Sequence, residues 1–190
     1  TTLQTADRAS AEFPDNVDRF LTGKGFGATV READFFEGKV GATYSYDTLN
    51  KAFLPTDGTR HRLSFDVSVP GSDLEYYLAS YQGETYIPVL DAEDVSFQLR
   101  TRLGYGDGYG DSDQLPFLKN FFAGGIRSVR GYEFNSLGPI DDSSLEQTGG
   151  NVLVTGTAAL QFPMPGIKEA DQARLSLFTD MGQVYQDEIK

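Results

Sequence analysis

Gly58-Thr59-Arg60-His61-Arg62-Leu63-Ser64-Phe65-Asp66-Val67-Ser68-Val69-Pro70 is the stretch on which the fold turns. Leu63, Phe65, Val67 and Val69 fall on one side of an extended chain, and Arg62, Ser64, Asp66 and Ser68 on the other. Side chains alternate between the two faces of a strand, so this run makes a ribbon with one oily and one wet side.

The same pattern recurs along the chain. Val95, Phe97, Leu99, Thr101, Leu103 and Tyr105 oppose Ser96, Gln98, Arg100 and Arg102. Val40, Ala42, Tyr44 and Tyr46 oppose Lys39, Gly41, Thr43 and Ser45. Three weaker ribbons run over 77–87, 151–162 and 173–185. Their outward sets start from Tyr77, Val152 and Ala173, and the last carries Arg174, Ser176, Phe178, Asp180 and Gly182 inward. At about 10 to 13 residues these ribbons exceed the usual strand of about 5 to 6 and suit a tilted bilayer crossing of about 9 to 11. Tyr46, Tyr76, Tyr86, Tyr105 and Tyr185 stand near ribbon ends, where an interfacial aromatic girdle is expected.

Composition is compatible with this picture. The 190 residues carry a formal charge of −12 and no cysteine. That charge argues against a broad nucleic-acid surface, and the missing thiols remove disulfides and thiolate metal sites. The acidic residues gather between ribbons, as in Asp15 to Asp18, Asp91 to Asp94, Asp107 to Asp113 and Asp141-Asp142, and read as solvated loops. No apolar run approaches the length of a transmembrane helix, and a negative mean hydropathy does not argue against a barrel, since every second strand residue faces water.

Connections differ by side. Phe53 to Gly58, Pro70 to Asp73, Pro88 to Glu93 and Pro163 to Lys168 read as turns, whereas one connection of residues 107–150 is long. Counting strands puts the long connection, the Pro70 turn and the segment before Lys39 on one side, and the other turns opposite. Long loops on one side and short turns on the other are the asymmetry of outer-membrane barrels. Residues 1–36 carry weak patterning, read as one strand and a loop.

Within the long connection lies Phe121-Phe122-Ala123-Gly124-Gly125-Ile126-Arg127-Ser128-Val129-Arg130-Gly131-Tyr132. It resembles the signature loop of the Omp85 superfamily. Phe53 to Gly58, Pro70-Gly71-Ser72-Asp73-Leu74-Glu75-Tyr76-Tyr77, Gly104 to Gly108, Gly149-Gly150-Asn151 and Phe178-Thr179-Asp180-Met181-Gly182 extend the resemblance over about 39–185 and are similar to the barrel-assembly members of that superfamily. The resemblance implies an all-β, antiparallel transmembrane β-barrel. Six or seven strands of an expected sixteen are present, with one long lumen-directed loop, so residues 1–190 read as part of a C-terminal barrel domain within a longer protein. It further implies folding and insertion of β-barrel proteins into the bacterial outer membrane, without cofactor or catalysis. The partners are unfolded β-barrel clients, the accessory lipoproteins of the assembly machine, met mainly through periplasmic domains, and the bilayer. A secretion pore of the same superfamily, exporting one partner protein, is the alternative.

The resemblance also assigns a site. Arg130, flanked by Val129, Gly131 and Tyr132, is expected to latch the loop inside the lumen against Asp180 on the inward face of its strand. Gln161, where the family usually carries Glu, is expected as a second wall partner, with Tyr132 packing behind the latch. No metal-ligand spacing is evident. His61, the sole histidine, reads as a turn or lumen residue rather than a catalyst. The remaining alternatives are an outer-membrane enzyme barrel, which lacks a catalytic constellation here, and a soluble β-sandwich.

Overall fold

The computed structural model describes residues 2–4, 32–34, 36–89, 95–141, 145–165 and 173–186. Most of residues 1–36, and parts of the turns after Pro88 and Pro163, lie outside the described residues. Strands β1 (Thr2–Gln4) and β2 (Glu32–Asp34) pair antiparallel as a two-stranded ladder. The rest is one six-stranded antiparallel sheet: β3 (Lys39–Asp47), β4 (Gly58–Ser68), β5 (Tyr76–Pro88), β6 (Ser96–Gly108), β7 (Val152–Pro163) and β8 (Arg174–Tyr185), each paired with its neighbour in sequence. No helix among the described residues is long and apolar enough to cross a membrane.

Register keeps the oily face continuous. Val40 sits opposite Val67, Tyr44 opposite Leu63, Leu63 opposite Tyr81, Tyr81 opposite Leu103, and Leu103 opposite Val154. A slip of one residue would turn every one of these side chains to the wrong face. This outer face is uncovered: Val40, Tyr44, Leu63, Leu177 and Met181 are all more than half exposed. A water-soluble sandwich would bury such a surface. A barrel wall turns it to lipid.

The other face is wet and carries the loop. Gly104 and Gly106 on β6 leave room for it: a Cβ at Gly104 would meet the Phe121 ring at 2.7 Å. Ala123, Leu153 and Val184 form a small buried cluster with Phe121 and Leu137 packed on it, so β7 and β8 hold the loop through their inward residues. Arg174 Nη1 donates to the Pro55 carbonyl at 3.1 Å. That bond joins the first residue of β8 to the β3–β4 turn, four strands away, as the sheet curls.

Two tyrosines depart from the girdle expectation. Tyr76 and Tyr86 are 1% and 6% exposed and point inward. Both have even numbers on β5, whose odd positions face out, and each hydroxyl bonds a carboxylate: Tyr76 to Glu37, and Tyr86 to Glu84 at 2.8 Å. Tyr46 and Tyr185 are about half exposed on the outer face, and Tyr105 tilts against Tyr77 there, 6.1 Å between centroids.

His61 is also on the outer face, opposite Gly83. Its ring stacks between Tyr46 and Tyr81, with Nδ1 2.8 Å from the Tyr81 hydroxyl and Nε2 2.8 Å from Thr59 Oγ1. Polar groups on a lipid-facing wall satisfy one another in this way, because no water does it for them.

Candidate functional site

The loop enters the lumen in steps. Its first residues are fixed at the rim by Glu75, whose carboxylate accepts Gly71 N–H and Asp111 N–H, each at 2.9 Å. A short 3-10 turn, Phe117–Lys119, then aims Lys119 at Glu37, and Nζ donates to both carboxylate oxygens at 2.9 and 3.1 Å. The Lys119 ammonium also lies 5.1 Å above the Tyr76 ring. Burial alone would raise the Glu37 carboxyl. The Tyr76 hydroxyl and the Lys119 ammonium outweigh it and hold the group below its ordinary value. Nothing in the sequence pattern marks this rim clamp, because its members are 82 residues apart.

Deeper in, Gly124 N–H donates to Ser128 Oγ and Ser128 Oγ donates back to the Gly124 carbonyl, folding the chain so that 129 and 130 face β8. Arg130 then grips Asp180 with three bonds. Nε donates to Oδ2 at 2.7 Å, Nη2 to Oδ1 at 2.8 Å, and the backbone N–H of Arg130 to Oδ2 at 3.0 Å. The two side-chain bonds are the parallel fork that a planar guanidinium offers a carboxylate and that lysine cannot. The carboxylate is 3% exposed and the guanidinium side chain 30%. Phe178, two residues before Asp180 on the same inward face, stacks under the guanidinium with its centroid 3.2 Å from Cζ.

Val129 and Gly131 shape the approach. Val129 is 3% exposed and lies over Gly182, where a Cβ would meet Val129 Cγ2 and Thr155 Cγ2 at 2.8 Å. The bare backbone at 182 thus leaves the space that Val129 fills beside the fork. Gly131 turns the chain away at φ +91, a conformation that glycine adopts without cost.

Two expected members stand elsewhere. Tyr132 is 56% exposed and does not pack behind the latch, since the turn at Gly131 carries it away from β8. Gln161 pairs in register with Ser96 and Ser176, four residues along β7 from Thr157, the partner of Asp180. Its Nε2 donates to Gln98 Oε1 at 2.9 Å, so it belongs to a polar row nearer the short turns. Among the described residues, no group of three or more metal-ligating side chains comes together.

This combination is an oily outer wall, a wet inner wall and a loop pinned inside by an arginine fork. A family model described as the Omp85 superfamily domain matches residues 5–190. The chain belongs to the Omp85 superfamily. Over 187 residues it is 33% identical to the outer membrane protein assembly factor BamA of Neisseria meningitidis serogroup B, covering 97% of this chain and 23% of that protein. A SAM50-like protein of Schizosaccharomyces pombe is 26% identical over 157 residues, 80% of this chain and 32% of its own length. The crystal structure of BamA from Haemophilus ducreyi lacking POTRA domains 1–3 superposes with a TM-score of 0.80 at 24% identity, over 92% of this chain and 36% of that one. The chain thus spans less than a third of the curated relatives it matches. It is a β-barrel protein of the bacterial outer membrane. The name of the Neisseria relative describes an assembly factor.

Proposed function

We propose that residues 1–190 form the middle wall and latched inner loop of an outer-membrane barrel that folds and inserts other β-barrel proteins. The observation that carries this reading is the Arg130–Asp180 fork, which ties the inner loop at Arg130 to the inward face of β8. An identity of 33% with a protein named as an assembly factor supports assembly over export of a single partner.

In this role the described residues do mechanical work. The outer face of β3 to β8 lies against lipid. The inner face holds the loop at the rim through Glu75 and Lys119, and in the lumen through Arg130. A loop fixed at both depths braces the wall while client strands pair elsewhere on the barrel by backbone hydrogen bonding, which needs no cofactor and no covalent intermediate. The partners are unfolded β-barrel clients, the bilayer, and accessory lipoproteins acting mainly through other parts of the protein.

The test is complementation. In cells depleted of the native full-length protein, Arg130→Ala should lower the level of folded outer-membrane barrels generally. Loss of one exported protein with normal barrel levels would support the secretion-pore reading instead, and unchanged levels of both would refute the latch.

A further inference from the structure

The inner wall holds a second polar feature that the latch does not use. A cleft of about 290 Å³ opens between β4, β5 and β6, lined by Arg60, Arg62, Gln82, Glu84, Arg100 and Arg102. Register explains the gathering. Arg60 pairs with Glu84 and Glu84 with Arg100, while Arg62 pairs with Gln82 and Gln82 with Arg102. Two adjacent rows of the wall therefore each carry an arginine on both sides of β5.

The charges do not balance. Arg60 Nε bonds Asp47 at 2.8 Å, and Arg100 Nη2 reaches Glu84 at 3.4 Å. Arg62 and Arg102 have no carboxylate partner among the described residues. A chain with formal charge −12 thus concentrates unpaired cations at one place inside its curled sheet. Such cations, walled by protein on one side, raise the local concentration of anions.

We propose that this cleft is a binding site for a carboxylate-rich polypeptide segment, gripped by Arg62 and Arg102 with Arg60 and Arg100 flanking them. Spacing argues for a chain over a single small anion. The axes of β4 and β6 lie about 10 Å apart, and Arg60 and Arg62 are about 7 Å apart along β4. An extended peptide lying along the strands presents same-side carboxylates at that same interval of about 7 Å, so it meets both rows at once. The guanidinium fork is already used for carboxylates on this wall, at Arg130, and gives each contact direction as well as charge.

The experiment uses the full-length protein in detergent and a fluorescein-labelled hexaglutamate peptide, read by anisotropy. Arg62→Gln/Arg102→Gln should weaken binding at least tenfold, and a hexaglutamine peptide should bind as weakly to the wild type. Equal affinity of the two peptides, or of wild type and double variant, overturns the proposal. Inorganic phosphate at about 10 mM, matched for ionic strength with chloride, should leave the peptide bound, and complete displacement would assign the cleft to a small anion and overturn the polypeptide reading. A heat-modifiable gel band confirms that the double variant folds. Without that band the wild type decides alone: affinity should fall at least tenfold between about 50 and 500 mM salt, and a salt-independent affinity overturns the proposal. The readout is binding, so it stands or falls separately from the assembly reading.

Discussion

Replacing Arg130 by alanine removes the fork and leaves the Asp180 carboxylate, 3% exposed, with the backbone N–H of residue 130 as its remaining bond from the loop. Hydrogen bonds to charged groups contribute about 1.5 to 3 kcal/mol each, and breaking a fully buried pair costs about 3 to 5 kcal/mol. The guanidinium is 30% exposed, which discounts both figures. Its stack on Phe178 adds about 0.5 to 1 kcal/mol. Together these put the docking free energy lost at about 3 kcal/mol, or roughly a hundredfold in the docked-to-undocked ratio. Arg130→Lys keeps the charge but loses the fork and most of the stack, so about half of that loss is expected. Native-state hydrogen exchange reads it directly in the full-length protein. Amide protection over residues 121–135 should fall about a hundredfold in Arg130→Ala and about tenfold in Arg130→Lys. A double-mutant cycle with Asp180→Ala should show a coupling above about 1.5 kcal/mol. Protection unchanged in both single variants, or costs that simply add, would refute the reasoning.

Other perturbations probe the surrounding structure. Gly182→Ala should push Val129 off β8 and cost about 1 to 3 kcal/mol of loop docking, seen as faster exchange at 129 and 130 with the strands unchanged. The Glu37 clamp is sensitive to acid: its folded value is depressed, so its contribution is complete above the unfolded value of about 4.3 and is lost as pH falls through the lower folded one. Loop-start exchange should therefore rise below about pH 4 in the wild type, and Glu37→Gln should abolish that dependence. Leu63→Arg, on the outer wall, should lower folded stability in liposomes by about 2 to 4 kcal/mol, whereas Ser64→Arg, one residue away on the wet face, should cost far less.

The strands were legible because two solvents write a period of two into each ribbon. Gly58 to Pro70 became Gly58–Ser68, and Lys39 to Asp47 was unchanged. Tyr76 and Tyr86 leave the girdle because parity, and not aromatic character, decides which face a strand residue takes. Both sit on inward positions, and their hydroxyls seek carboxylates. Arg130 meeting Asp180 was readable from a resemblance together with the inward parity of 180. Gln161 was not separable from that pair in the same way, since parity states a side of the wall and says nothing of height. The clamps of Glu75 and Lys119 depend on how a loop of more than forty residues folds back, and no local pattern encodes that meeting.

The uninterrupted register of β3 to β8 has a consequence for depth. Asp47, Arg60, Glu84, Arg100, Thr157 and Asp180 form a single line at right angles to the strands. Barrel strands lean about 35 to 45° from the membrane normal and stand about 4.8 Å apart. Five steps along that line therefore climb about 15 Å, half the thickness of the hydrocarbon layer. The line is a spiral ramp, and residues that look level in a flat diagram of the sheet meet the bilayer at different altitudes.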